Sequence, residues 1–249
     1  ASNVSLDVID PAKLPRGFNE HGSCVPIFPH SLPKANTIFE VVKASGRRTA
    51  WADKHPAYDL VNGLSGRGVD DLYTPEITNV NGFDATVSAV CTVENDQLKV
   101  QALVNEIHGK THDGQPAGAA PAVFGMNFQA VSVGQKVAKD SADPRCNKAD
   151  GDRLRGKPGG YLDASGTPGE VLSYALDKTD NAIAALIKAL KDQGLYHSTL
   201  VIVTAKHGQS PIDPGKTNKP GHFADLLATL PDAGSNPAAL TLAAAAGCA

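Results

Sequence analysis

A long amphipathic helix pattern that leads into an apolar run is the feature that most constrains how this chain can fold. Thr167-Pro168-Gly169-Glu170 has the pattern of a capping box with proline at N1, and it predicts a helix that ends near Gly194. The stretch "TLVIVTAKHG" follows, and its β-forming side chains predict a buried strand that ends close to His207. Helix and strand patterns alternate elsewhere too. We therefore expect an α/β fold, a mainly parallel sheet with helices on both faces.

Other stretches fit the same alternation. Asn36 is the expected N-cap of a helix in "TIFEVVKASG", and Ile38, Val41 and Val42 form its apolar face. The stretch "TAWAD" predicts the next strand, and "PAVFGMNFQAVSVGQ" predicts a second buried strand that runs into a glycine turn. Between them, "ENDQLKVQALVNEIHG" has the spacing of a helix, whereas "DATVSAVCTV" fits a helix or a strand.

Length and composition predict one main domain. The 249 residues are 41% hydrophobic, which is enough to bury a full core. Residues 1–35 are rich in proline and predict an extended N-terminal segment, and residues 36–230 form the expected α/β core domain. Residues 136–160 are charged and rich in Gly and Pro, which predicts a surface insertion, and residues 231–249 form an Ala-rich tail.

Charge and hydropathy exclude several classes of partner. The chain has 23 Lys and Arg against 26 Asp and Glu, so its net charge of -3 gives no basic surface for nucleic acid or for anionic lipid. No apolar run approaches the roughly 20 residues of a membrane span. The only methionine is Met126, and we expect a processed, trimmed or partial chain.

The number and spacing of the cysteines give information on the cellular compartment of the protein. The four cysteines are widely spaced without a C-x-x-C pair, which argues against a zinc knuckle. One or two disulfides in an oxidising compartment and free buried thiols are both consistent with this spacing. We expect a secreted or periplasmic protein.

Candidate functional residues follow the predicted strands. Ligands of parallel α/β sheets gather at the carboxyl ends of the strands, where Asp53, His55 and His207 are expected. His207 can bind a metal or act as a general acid or base, and Lys206 can contact an anion as a point charge. Each also has a structural reading: Asp53 as the cap of a turn, His55 as a surface residue before a proline, and His207 as a hydrogen-bonded strand-end histidine.

Three stretches together carry a family resemblance. The order "NTIFEVVKASGRRTAWADKHPAYD", "FGMNFQAVSVGQ", "SYALDKTDNAIAALIKALKDQGLYHSTLVIVTAKHGQSPID" resembles the alkaline phosphatase superfamily, and within it the secreted bacterial branch of the type I phosphodiesterase / nucleotide pyrophosphatase family. The resemblance implies an alkaline-phosphatase-like core, two zinc ions held by Asp and His, and a threonine or serine that attacks phosphorus. Carboxylate and imidazole ligands suit zinc. It also implies a small phosphate ester or nucleotide-like substrate.

The sequence departs from this family at several expected ligands. Lys206-His207-Gly208 stands where the family has Asp-His-Gly, and an ammonium group cannot replace an anionic ligand. Val131 and Gln135 stand at the spacing of an Asp and a His ligand. The family's first strand, with its Asp ligand and the nucleophile, is expected before residue 1, so the core is predicted to lack that strand.

The remaining zinc candidates are few. They are His207, His222 in "KPGHFADLL", Asp53 and His55, and the candidates for catalysis are His207 and Lys206. The resemblance therefore implies a degenerate metal site.

Two hypotheses on function follow. The first is a hydrolase of phosphate esters or diesters, completed by residues outside this chain. The alternative is a catalytically lapsed family member that serves as a binding or assembly protein, with oligomers as one form of assembly. A third, weaker hypothesis is a proteolytic portion without a separate role. The zinc content separates the first two.

Overall fold

The computed structural model describes residues 9–19, 21–80 and 82–208. The helices are α1 (Ile38–Ala44), α2 (Ala89–Ile107), α3 (Ala130–Lys136), α4 (Lys148–Leu154) and α5 (Glu170–Asp192). The strands are β1 (Arg16–Phe18), β2 (Cys24–Pro26), β3 (Thr49–Ala52), β4 (Asp71–Tyr73) and β5 (Val123–Met126). Short 3-10 turns lie at Pro11–Lys13, Pro29–Ser31, Pro56–Asn62, Ile77–Asn79, Ala85–Val87 and Tyr196–Ser198.

The main sheet of the described residues has three parallel strands in the order β4-β3-β5. Ala50 of the central strand β3 pairs with Asp71 on one side and with Phe124 on the other. Strands β1 and β2 form a separate antiparallel ribbon in the N-terminal segment. The expected α/β class is thus confirmed, with a parallel sheet and helices.

Helix α2 lies at the centre of the core. It packs against α5, α3, β3 and β5, and only a narrow face with Gln97, Leu98 and Gln101 is exposed. The buried face carries Asp96, Lys99 and Glu106 beside its apolar side chains, so the segment shows a weaker separation of apolar and polar residues than α5 does. The segment 136–160, predicted as a surface insertion, contributes Ala142, Cys146 and Leu154 to the core, and Cys146 forms a disulfide with Cys91 of α2.

Helix α1 begins one residue later than expected. Thr37, not Asn36, is the N-cap, and it forms a capping box with Glu40. This start turns Phe39 toward the sheet, where its ring meets Trp51 edge-on at 5.7 Å between centroids. The predicted apolar face is wrong, because Ile38 and Val41 are 58% and 50% exposed.

Helix α5 is present as predicted, but its capping box is not. The helix begins at Glu170 with Gly169 as N-cap and no side-chain cap. Thr167 belongs to the preceding loop, because its backbone N–H bonds Asp163 Oδ1 at 3.2 Å. The C-terminal glycine signal is correct: Gly194 lies two residues past the helix with φ +68°.

The stretch after β5 differs from the prediction. The strand stops at Met126, and the expected glycine turn is instead the short helix α3. A Cβ added at Gly134 of α3 would lie 3.1 Å from Ala175 Cβ, so the glycine allows α3 to pack closely on α5. Helix packing therefore overrides the turn propensity of this glycine.

The predicted strand in "TLVIVT" is wrong. Residues 200–205 have no regular secondary structure, and Leu200, Ile202 and Val203 are 83%, 73% and 72% exposed. A β-forming sequence becomes a strand only when a neighbouring strand supplies hydrogen-bond partners. No described strand pairs with this segment.

Within the described ranges, no helix is both long and apolar enough to cross a bilayer.

Candidate functional site

The carboxyl ends of β3 and β5 bring two polar side chains together. Asp53 directly follows β3, and Asn127 directly follows β5. Because the two strands are parallel and adjacent, the Asn127 amide donates from Nδ2 to Asp53 Oδ1 at 3.1 Å. Asp53 also accepts from Trp51 Nε1 at 3.1 Å and from the Lys54 N–H at 2.8 Å. Its buried carboxylate is therefore well supplied with donors.

Helix α2 fixes the turn that follows β5. Asp96 accepts hydrogen bonds from the backbone N–H groups of Gln129 and Ala130, at the beginning of α3. Lys99, one helical turn later, pairs with Asp96 at 2.8 Å and donates to the carbonyl oxygen of Asn127 at 2.7 Å. Both side chains are buried. Their charges are compensated because they pair with each other and bond backbone groups of the turn. This ion pair holds the backbone of residues 127–130 in place.

The anchored turn places Gln129 beside Lys54. Gln129 Oε1 accepts a hydrogen bond from Lys54 Nζ at 2.5 Å. Lys54 has no carboxylate within ion-pair distance among the described residues, although its neighbour Asp53 is close. Its half-buried ammonium group is thus held by a neutral amide oxygen.

Two more lysines near this edge share that property. Lys206 donates to the hydroxyl of Tyr58, and its Nζ lies 4.4 Å from the centre of the Tyr58 ring. Lys136 Nζ donates to Ser132 Oγ at 2.9 Å. Both ammonium groups therefore pair with neutral hydroxyl groups.

These charges influence one another. Burial lowers the pKa of Lys54, and Lys206, Lys99 and Lys136 lower it further, whereas Asp53 acts in the opposite direction. A lowered lysine pKa reports an environment that disfavours added positive charge. Burial is the largest cause, and the neighbouring lysines add a repulsion that Asp53 offsets in part and that a bound anion would relieve.

His55 lies at the same edge, but it is engaged elsewhere. Its Nδ1 contacts Glu76 Oε1 at 2.7 Å, and its ring is parallel to that of Tyr58. Burial acts to raise the pKa of Glu76, but hydrogen bonds from Thr78 and the charge of His55 outweigh it and lower this pKa. His55 thus contacts Glu76, and no described contact joins it to the Asp53 carboxylate.

The other predicted metal ligands are not assembled around Asp53. His207 is exposed directly after Lys206, and His222 lies outside the described residues. The described part of the chain contains no group of three His, Cys, Asp or Glu side chains with metal-binding geometry. Because no three such side chains are grouped there, the described surroundings of Asp53 do not supply a zinc site by themselves. A zinc site that includes His207 and His222 stays a prediction.

The two positions of expected ligand loss have structural roles. Val131 packs against the main hydrophobic cluster. Gln135 Nε2 donates to the hydroxyl of Tyr161 at 2.7 Å, which links α3 to the loop before α5.

A separate cavity of about 930 Å³ lies between α4, the 157–169 loop and α5. Its cations are compensated: Arg153 and Lys178 each lie 3.4 Å from Asp150, and Lys157 lies 3.0 Å from Glu170. This cavity lacks ammonium groups that bond only neutral oxygens, which the carboxyl ends of β3 and β5 have. We therefore place the candidate site at the carboxyl ends of β3 and β5.

Several residues of this site have weak signals in the sequence. Asn127 and Gln129 follow a predicted apolar stretch, so the rule that selects Asp53 also applies to them once the end of β5 is known. Asp96 and Lys99 show only a helical i, i+3 spacing, which is common on helix surfaces. Their role depends on the packing of α2 against the β5–α3 turn.

A family model matches part of the chain. The family model described as "Type I phosphodiesterase / nucleotide pyrophosphatase" matches residues 134–244. The matched region begins within α3 and includes α4 and α5, whereas β3, β4 and β5 lie before it. Searches of curated proteins and of solved structures found no match. The match supports the family and a phosphodiesterase-like hydrolase fold.

Proposed function

We propose that the protein is a phosphoric ester hydrolase that acts on small phosphate esters or diesters, including nucleotide-like compounds. The observation that carries this proposal is the family match over residues 134–244. The cluster of lysines around Lys54 agrees with it, because ammonium groups neutralise phosphoryl oxygens. The substrate is proposed to bind at the carboxyl ends of β3 and β5.

Chemistry at this edge would use the residues already described. Lys54 and Lys206 can offset the charge of a phosphoryl group, and His207 can hold or deliver a proton near the leaving oxygen. The attacking nucleophile is proposed to come from residues outside this chain. Zinc remains part of the proposal as a prediction, to be measured as metal content.

Hydrolysis of bis(p-nitrophenyl) phosphate and p-nitrophenyl phosphate tests the proposal. The full-length gene product and this chain should be assayed in parallel, after dialysis with and without zinc. Activity in the full-length protein that is lost in His207→Ala supports the proposal. Equal rates in the wild type and in His207→Ala would remove His207 from the mechanism, and no hydrolysis in any preparation would refute the proposed reaction.

A second candidate function is binding without hydrolysis. The observation that favours it is the replacement of two expected ligands by Val131 and Gln135, of which the first packs against the core and the second bonds Tyr161. A lapsed member would bind phosphate esters, or assemble with partners, but would not turn substrates over. Tight binding of a nucleotide without release of product by the full-length protein would favour this function over the first.

We also propose a secreted or periplasmic location. The Cys91–Cys146 disulfide supports it, because disulfides persist in oxidising compartments. Cell fractionation with an antibody against the native protein tests the location, and recovery from the cytosol alone would contradict it.

A further inference from the structure

Lys54 and Lys206 near the carboxyl ends of the strands, and Lys136 at the end of α3, have ammonium groups that bond neutral oxygens instead of carboxylates. Lys54 bonds Gln129, Lys206 bonds Tyr58, and Lys136 bonds Ser132. Elsewhere in the described residues, lysines commonly pair with acids, as Lys43 does with Asp70 at 2.7 Å. A neutral partner fixes the position of an ammonium group without cancelling its charge, although Asp53 offsets part of the charge of Lys54. Positive charge is thus held in place at one edge of the sheet.

From this arrangement we infer that Lys54 and Lys206 together bind the phosphate group of the ligand, and that Gln129 and Tyr58 position their ammonium groups. The inference rests on the proposed function, since it names residues that hold the substrate class proposed above. It goes beyond that function because it does not depend on whether the ester is hydrolysed.

Lys54 is the better-anchored half of this pair. It directly follows Asp53 at the end of β3, and Gln129 is held by the buried Asp96–Lys99 pair through the backbone of the turn. The ammonium position is therefore determined by the sheet and by α2, and little side-chain entropy remains to be lost on binding. Lys99 itself has no exposed surface and is fully paired, so it supports the site without contacting a ligand.

Lys206 is the less restrained half. Lys206 is exposed, and its described contacts are with the ring and the hydroxyl of Tyr58. Tyr58 belongs to the turn that begins right after His55, whereas Gln129 belongs to the turn after β5, so the two ammonium groups are held by different parts of the chain. An anion that bridges both ammonium groups would draw Lys206 from the hydroxyl of Tyr58 toward Lys54.

The test is titration calorimetry of the full chain with inorganic phosphate and with AMP. We expect Lys54→Met to weaken binding of both about tenfold or more, because a charge-assisted contact is lost. Lys206→Met should weaken binding several-fold, and the double variant more than either. Lys188→Met is the matched control: Lys188 is exposed on α5 and pairs with Asp192, so its loss should leave affinity unchanged.

A purely structural role for Lys54 is distinguished by two readouts. Lys54→Arg, which keeps the positive charge, should recover most of the affinity. The decrease of affinity with added salt should be shallower in Lys54→Met than in the wild type, because fewer charged contacts are made. Thermal unfolding of each variant shows whether it is folded.

The outcomes separate this inference from the proposed function. If the full-length protein hydrolyses esters with an unchanged KM in both lysine variants, the inference is wrong and the function stands. If no hydrolysis occurs but both variants lose phosphate affinity, the inference stands and hydrolysis is refuted. Absence of phosphate binding by the wild type would overturn the inference directly.

Discussion

The carboxyl group of Glu106, near the end of α2, lies beside that of Asp71, at the start of β4. Arg48 Nη1 lies 2.6 Å from Glu106 Oε2, and the backbone nitrogen and ring Nδ1 of His112 contact Asp71 at 2.7 and 2.6 Å. Glu106 is buried, whereas His112 is partly exposed. Two acids and two basic groups thus form a compact cluster at the amino ends of the strands.

This cluster predicts a pH dependence of stability. Burial raises the pKa of Glu106 to about 8, and the Asp71 carboxylate adds to the increase. The folded chain therefore keeps a proton that the unfolded chain loses near pH 4.5, so the free energy of unfolding should fall as pH rises from about 4.5 to about 8. Glu106→Gln should remove this part of the slope.

Urea unfolding between about pH 5 and pH 8 measures this effect. The surface variant Glu170→Gln serves as the control and should keep the wild-type slope. An unaltered slope in Glu106→Gln would show that the proton is held elsewhere. At low pH the opposite trend applies to Asp71: burial acts to raise its pKa, but hydrogen bonds from His112 and Glu106 lower it overall, so its contribution is lost as the pH falls below its usual range.

The Asp96–Lys99 pair predicts a strong dependence of one charge on the other. In Asp96→Ala, the buried Lys99 ammonium would lose its carboxylate, and the free energy of unfolding should fall by about 3 to 5 kcal/mol. The double variant Asp96→Ala with Lys99→Met removes the stranded charge and should recover part of that loss. Urea unfolding of the wild type, the single variant and the double variant measures the three free energies of unfolding. Equal stability of the single and double variants would mean that Lys99 reaches another partner.

Close packing around α3 predicts a severe effect of a single methyl group. A Cβ on Gly159 would lie 2.4 Å from the Gly134 carbonyl oxygen and 2.8 Å from that of Val137. These oxygens accept the N–H groups of Gly160 and Gly159, so they cannot withdraw without loss of hydrogen bonds. Gly159→Ala should lower the free energy of unfolding by about 1 to 3 kcal/mol.

The matched control for this substitution is Gly151→Ala in α4. The atom nearest to a Cβ added there is Ala142 Cβ at 3.4 Å, an ordinary contact. Since alanine favours helix, this variant should unfold at the same or a higher temperature, with a gain of up to about 1 kcal/mol. Similar melting temperatures for the two variants would contradict the packing around Gly159.

The disulfide predicts a measurable loss of stability when it is removed. Cys91 and Cys146 are separated by 55 residues, and closing a loop of this size is worth about 4 kcal/mol in the chain-entropy model. The Cys91→Ala, Cys146→Ala double variant should therefore unfold at a clearly lower urea concentration. Unchanged unfolding would mean that the unfolded chain is already restricted in this region.

Local sequence patterns predicted the elements that carry strong signals of their own. The long helix α5, the strand β3 and the carboxylate of Asp53 at its end all follow from apolar spacing and the edge rule for parallel sheets. Strand β4 was not predicted, because its three residues lie in a stretch dense in Gly, Pro and Asp.

The remainder depended on contacts between distant parts of the chain. The apolar stretch near residue 200 has strand propensity, but propensity supplies no neighbouring strand. The lysine site likewise arises from packing: Lys54 and Gln129 are 75 residues apart, and they meet because β3 and β5 pair and α2 anchors the turn. No local sequence pattern predicts such a long-range contact.

The position of the Cys91–Cys146 bond along the chain has a consequence for motion. The two cysteines enclose β5, the turn with Asn127 and Gln129, and α3 within one covalent ring. Most of α2 belongs to the same ring, including Asp96 and Lys99. When this part of the molecule opens locally, the disulfide keeps residues 91 and 146 joined. The turn after β5 and the α2 side chains that anchor it therefore separate over a shorter distance and re-form their contacts faster. The ring therefore gives the Gln129 side of the site a restraint that the exposed Lys206 side lacks.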